Sequence, residues 1–244
     1  MSSDEMRRRA DAFRSTGVTY HRYRPGYPDD AVGWALPDGA RDVLELGAGT
    51  GRLTDALLER GLTVTAVDPS ASMLAVLAAR HPDVSVVEAR AEATGLADAS
   101  FDAIVVGQAW HWIDPAAGSA EAARLLRPRG TIAMLWNQRV PEDGWQAAFE
   151  AVQPDPRGVD LISRHDADAR FPFGAREEFR TAWERTIPAE DYVQLYTTQS
   201  PFLIASPEEQ ARRLATWRSL LRAHAVDRVT QRYATTVWRF QLPG

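Results

Sequence analysis

The chain has 244 residues, 45% of them hydrophobic and 25% charged, with a formal net charge of -5, the profile of one α/β domain able to bury a full core. It contains no cysteine, and all 28 basic residues are arginine, which excludes disulfides, thiolate nucleophiles, cysteine-held metals, Schiff-base lysines and lysine-bearing phosphate loops. The mildly acidic balance argues against broad nucleic-acid or anionic-membrane binding. No window reaches the roughly 18 apolar residues of a membrane span, and the arginines of MSSDEMRRRADAF have no apolar stretch behind them, so the expected location is the cytoplasm.

In chain order, a helical and loop segment comes first and ends in YHRYRPGYP, Tyr20 to Pro28, whose prolines argue against a regular helix. From Asp42 to about Trp136, β-rich runs alternate with helical ones. The strands are DVLEL, TVTAVD, VSVVEA, FDAIVVGQ and TIAMLWN, and helices open near Arg52, Ser70 and Pro115. That alternation predicts a doubly wound parallel sheet, with ligands at the carboxyl ends of its strands. Further on, GWQAAFEAV and SPEEQARRLATWRSLLRAH read as helices, REEFRTAWERTI and VTQRYATTVWRF as two last strands, and QPDPRGVD (Gln153 to Asp160) as a loop. The expected fold is α/β, a Rossmann-like, mostly parallel seven-stranded sheet with a helical cover inserted after the fifth strand.

The most informative stretch is VLELGAGTGRLTDALLERGLTVTAVDPSASM, with Gly47, Gly49 and Gly51 between strand and helix and Asp68 ending the next strand. A bare backbone there lets a ligand come close to free amides, and the carboxylate can accept from a ribose diol, so the pair predicts a nucleoside-bearing cofactor. A dinucleotide turn needs a small third residue where this chain has Arg52. That departure argues against a nicotinamide-dependent oxidoreductase.

Glu45-Leu46-Gly47-Ala48-Gly49-Thr50-Gly51 instead resembles motif I of the class I S-adenosylmethionine-dependent methyltransferases. AVDPSASML resembles their second motif, RAEATGL and SFDAIVVGQAWHWID the third and fourth, and AARLLRPRGTIAMLWN the approach to the fifth strand. The resemblance implies one domain over 1–244, with a cap at 1–41, a cofactor core at 42–136 and a cover with the last two strands at 137–244. It implies that Glu45 helps hold the methionine ammonium group, that Gly47, Ala48, Gly49, Thr50 and Gly51 form the turn under the cofactor, and that Asp68 binds the ribose. Pro69 and Met73 would flank the adenine, Ala91 and Glu92 its edge, and Gln108 the tip of the fourth strand. Many members carry Asp where this chain has Arg90; arginine cannot accept a hydrogen bond, so adenine recognition would rest on backbone groups or on a different acid, with Glu92 the nearest.

YHRYRPGYP and Trp136-Asn137-Gln138-Arg139 carry a narrower resemblance, to trans-aconitate methyltransferase-like proteins. It implies that Tyr20, Tyr23 and Arg24 cover the cofactor, with Arg24 on the methionine carboxylate and Tyr20 as a catalytic candidate. Trp110, His111, Trp112 and Trp136 are expected at the transfer site, His111 as a base or as a structural histidine. Arg139 could meet a substrate carboxylate or form an internal ion pair. Trp145, Phe149, Phe171, Phe173, Trp183, Tyr192, Tyr196 and Trp217 read as core or as an aromatic pocket. The function expected is methyl transfer to a carboxylate or hydroxyl oxygen of a small molecule by a monomer or homodimer, with no metal. A non-catalytic S-adenosylmethionine-binding regulator is the alternative.

Overall fold

The computed structural model describes residues 17–140, 142–153 and 172–243. Its strands are β1 (Asp42–Leu46), β2 (Thr63–Asp68), β3 (Ser85–Glu88), β4 (Phe101–Gly107), β5 (Leu126–Arg139), β6 (Glu177–Pro188) and β7 (Arg228–Gln241). They form one sheet in the order β3-β2-β1-β4-β5-β7-β6. β1 pairs in parallel with β2 on one side and β4 on the other, β2 with β3, and β4 with β5. The helices are α1 (Gly17–Tyr23), α2 (Asp29–Ala35), α3 (Arg52–Glu59), α4 (Ala71–Arg80), α5 (Pro115–Leu125), α6 (Trp145–Ala151), α7 (Ala189–Thr197), α8 (Ser200–Leu203) and α9 (Pro207–Ala223). None is long and apolar enough to cross a membrane.

The described residues group into two compact units. One comprises 25–138, 172–182 and 234–243, the other 17–24, 139–140, 142–153 and 183–233.

In the first unit the central strands β1, β4 and β5 are apolar on both faces, as a sheet covered on both sides requires. Leu44, Leu46, Ile104, Val106, Ile132, Met134 and Trp136, all even positions, pack with Ala122 and Leu125 of α5. The odd positions Val43, Ala103, Val105, Ala133 and Leu135 pack with Leu53 and Leu57 of α3 and with Ala31, Val32 and Ala35 of α2. Side chains alternate faces along a strand, so parity alone sorts these residues between the two layers. Local chemistry starts α5: Asp114 Oδ1 accepts the amides of Ala116 and Ala117 at 3.0 and 2.8 Å ahead of Pro115.

β7 runs against β5: Thr235 Oγ1 donates to Asn137 Oδ1, and Leu242 N to Gly130 O. β6 and β7 are antiparallel too, since Trp183 stacks on Tyr233 and Thr186 meets Thr230. The second unit has its own core of Phe149, Tyr192, Tyr196, Phe202, Trp217 and Leu221. Trp217 Nε1 donates to Phe149 O at 2.9 Å, so the buried indole leaves no stranded donor.

The structure differs from the sequence reading at particular points. Tyr20 to Tyr23 form the last turn of α1, because a proline constrains the residue just before it, here Arg24, and not those further upstream. β5 is longer than TIAMLWN at both ends, and α7 and α8 were not legible as separate helices. Of QPDPRGVD only Gln153 is described; residues 154–160 and Phe171 lie outside the described residues.

Ile104, fully buried at the centre of β4, tests the packing of the first unit. Ile104→Val should cost about 0.5–1.5 kcal/mol and Ile104→Ala about 2–5 kcal/mol in denaturant unfolding.

Candidate functional site

The turn after β1 is shaped by two pairs of contacts. Gly47 N and Ala48 N both donate to Val67 O, at 2.8 and 3.0 Å, which fastens the turn to the end of β2. Gly47 and Gly51 have φ of +72° and +88°, and a Cβ on them would lie 2.4 Å from Ala109 Cβ and 2.9 Å from Leu77 Cγ respectively. Both are therefore required by packing as well as by backbone conformation. Gly49 is different: its φ is +55°, and a Cβ there would meet nothing within 4 Å. It is the point at which a ligand can reach the backbone.

Asp68 stands beside it. Its Oδ2 accepts from Gly49 N at 2.9 Å and its Oδ1 from Ser70 N at 2.8 Å. Burial raises the carboxyl's pKa, and the two amide bonds oppose that rise. Each oxygen keeps a second lone-pair direction for a further donor. Arg52, in the place where a dinucleotide turn needs a small residue, begins α3 and donates from Nε to Pro25 O at 3.4 Å.

Glu45 lies beneath the turn, 2% exposed. Thr54 Oγ1 of α3 donates to its Oε2 at 2.5 Å, and the Thr54 amide bonds to it as well. Burial, reinforced by the nearby Asp55 and Asp68 carboxylates, pushes the Glu45 pKa from 4.5 up to about 8. Thr54 was not singled out in the sequence; its place three residues beyond Gly51 was the available signal.

At the edge of the site Ala91 is buried, while Glu92 Oε1 accepts from Asp114 N at 3.0 Å and Arg90 Nη2 at 3.4 Å. Glu92 thus ties the third strand's exit loop to the start of α5. Met73 is buried on α4, and Pro69 lies between Asp68 and Ser70 ahead of that helix.

The end of β4 is built by contacts distant in sequence. A Cβ on Gly107 would come within 2.5 Å of the Tyr27 hydroxyl, so only glycine lets that ring close on the strand. Gln108 follows with φ of +56°, a strained conformation for a non-glycine residue. Its amide bonds to Leu135 O at 3.0 Å and its Nε2 donates to Asn137 O at 2.7 Å, which together hold it there. Asn137 Nδ2 in turn donates to Gly26 O at 2.8 Å. Trp110 and Trp136 are each 1% exposed and belong to the core, whereas His111 and Trp112 are half-buried. The His111 ring lies 4.7 Å from Trp112 and 5.6 Å from Trp136.

The remaining expected site residues are in the second unit. Tyr20 carries the Arg24 guanidinium over its ring at 4.8 Å, and Arg24 Nη2 donates to Thr198 O at 3.0 Å. Tyr23 packs on the aromatic core. Arg139 pairs with Glu150 at 2.5 Å and donates to the hydroxyls of Tyr192, at 2.8 Å, and Tyr196. Phe149, Tyr192, Tyr196 and Trp217 are core residues, and Phe173 packs at the edge of the first unit's core. Among the described residues no cluster of three His, Asp or Glu could hold a metal.

A parallel sheet with an open glycine turn and a carboxylate beside it defines a Rossmann-like, nucleoside-binding architecture. Residues 44–134 match the methyltransferase domain family. An uncharacterised methyltransferase of Mycobacterium tuberculosis is 39% identical over 92% of this chain and 86% of its own length. A malonyl-[acyl-carrier protein] O-methyltransferase of Enterobacter lignolyticus is 34% identical over 56% of this chain and 55% of its own. Among solved structures, a proposed type II methyltransferase from Anaeromyxobacter dehalogenans has a TM-score of 0.69 at 26% identity, covering 91% of this chain and all of that one. The chain belongs to the S-adenosylmethionine-dependent methyltransferases. The turn's open face at Gly49, with the Asp68 carboxylate beside it, fits the nucleoside of that cofactor.

Gly49→Ala should cost about 1–2 kcal/mol of stability, the strain of a left-handed alanine. Its methyl would project where the cofactor approaches, so calorimetry should show S-adenosylhomocysteine affinity falling by at least about tenfold, ~1.4 kcal/mol. The raised pKa of Glu45 has a sign in stability: the folded state favours its protonated form. Its contribution is full below 4.5, fades as pH rises and is gone above about 8. Denaturant unfolding of cofactor-free protein should therefore show a loss of about 1 kcal/mol or more between about pH 6 and 8 that Glu45→Gln abolishes.

Proposed function

We propose that the enzyme methylates an oxygen, a carboxylate or a hydroxyl, of a small molecule. The observation that carries the cofactor half of this reading is the open face of the turn at Gly49, whose amide is held by Asp68, with Arg52 where a dinucleotide would need a small residue. In it, Asp68 accepts from the ribose hydroxyls, Glu45 faces the methionine ammonium group, Pro69 and Met73 flank the adenine, and Ala91 and Glu92 line its edge. When bound, S-adenosylmethionine supplies an electrophilic methyl group for in-line displacement, a reaction governed by positioning.

An oxygen acceptor is supported by the O-methyltransferase among the relatives and by the half-buried His111 at the rim, where a base would take a hydroxyl proton. The trans-aconitate methyltransferase-like pattern of YHRYRPGYP supports a carboxylate, which needs no base. The His111 ring packs against the indoles of Trp112 and Trp136, aromatic faces that would exclude water beside it.

The test is calorimetric titration with S-adenosylhomocysteine beside NAD, then transfer of labelled methyl groups to a panel of small carboxylic acids and alcohols. Binding of S-adenosylhomocysteine alone and a labelled, base-labile ester or stable ether supports the proposal; label only on nitrogen or carbon acceptors defeats it. For a hydroxyl acceptor, His111→Ala should lower turnover by about a hundredfold or more, the ordinary share of a general base, and change cofactor affinity by less than about twofold. For a carboxylate acceptor its turnover should stay near that of the unaltered enzyme.

A further inference from the structure

Glu45 is an unusual group to bury. It is 2% exposed, the acids Asp55 and Asp68 are the charged groups that act on it, and no arginine or histidine pairs with it among the described residues. A carboxylate in such a place is costly, and the side chain that eases it is that of Thr54. Thr54 is fully buried at the third position of α3, directly under the turn: a Cβ on Gly51 would stand 3.3 Å from its hydroxyl. Its Oγ1 lies 2.5 Å from Glu45 Oε2, and its main-chain amide bonds to the same carboxyl. One residue therefore holds both the first strand's last acid and the first turn of the helix that follows.

We propose that Thr54 is a positioning residue for the cofactor: its hydroxyl fixes the Glu45 carboxyl, so that arrival of the cofactor's ammonium group drives the carboxyl proton out to solvent. The inference rests on the reading that Glu45 faces that ammonium group. In the empty enzyme the carboxyl is protonated near neutral pH, because desolvation and two neighbouring acids disfavour its charge. A bound cation reverses the balance, the O–H bond breaks, and the proton passes to the buffer. Thr54 Oγ1 then donates to the carboxylate, a hydrogen bond that strengthens as the acceptor becomes charged. Without the hydroxyl, ionisation is harder, binding weakens near neutral pH, and the pH at which affinity levels off moves upward.

The experiment is calorimetric titration with S-adenosylhomocysteine from about pH 6 to 9, in buffers of different ionisation enthalpy, on the unaltered enzyme, Thr54→Val, Thr54→Ser and Glu45→Gln, each checked by thermal unfolding. The unaltered enzyme should release a proton near pH 7 and bind more tightly as pH rises. Thr54→Val, nearly the same shape, should bind about tenfold more weakly near pH 7, the worth of one hydrogen bond to a charged group, with its profile shifted upward. Thr54→Ser should restore both, and Glu45→Gln should release no proton. If Thr54→Val keeps the original affinity and profile while Glu45→Gln loses its pH dependence, the role of Thr54 is overturned and the reading of Glu45 stands. If Glu45→Gln also keeps the original affinity and profile, both are overturned.

Discussion

The site depends on β1 being paired in parallel on both sides at once. Its register with β2 sets Leu46 against Val67, and its register with β4 sets Glu45 against Val105, so the carboxyl ends of three strands open toward the same rim. The glycine turn, Asp68 and the Gln108 bend follow from that placement. Val67 O is the joint between the first two: it accepts both Gly47 and Ala48 amides, so the turn and Asp68 are registered to each other by main-chain bonds. Main-chain bonds of this kind fix geometry independently of side-chain rotamers.

The electrostatics of the first unit suit a cationic ligand. Glu45 and Asp68 both have raised pKa values, with burial the leading cause in each. Among the described residues neither is paired with an arginine, although every basic residue of the chain is one. Arg127 bridges Asp42 and Asp102, and Arg124 bridges Asp98 and Glu121, both on partly exposed surfaces. Acids left without a cation at the turn favour a positive group there, Glu45 by giving up its proton when one arrives.

The second unit shows the opposite arrangement. Arg139 is held by Glu150 and by two phenols, and the cluster is satisfied internally. Burial raises the pKa values of Tyr192 and Tyr196, which keeps both as neutral hydrogen-bonding groups. An arginine with fixed planar donors suits such a network better than a mobile ammonium would.

The sheet and the cofactor turn were legible because their determinants are local. Glycine spacing, an acid at a strand end and alternating apolar runs act over a few residues, and each contact is set by the periodicity of the backbone. The family followed from the same stretch. The setting of the individual side chains did not. Gly107 is bare to admit Tyr27, Gln108 is held in a strained bend by Leu135 and Asn137, and Asn137 reaches back to Gly26. Trp110 and Trp136 share a motif-rich neighbourhood with His111 and Trp112, yet packing takes the first pair into the core and leaves the second partly open. The sequence by itself determined which elements form and where a cofactor could meet the backbone. Only the tertiary structure decided which polar groups are paired, buried or left facing the site, because those choices depend on residues brought together from distant parts of the chain and on the water that their packing removes.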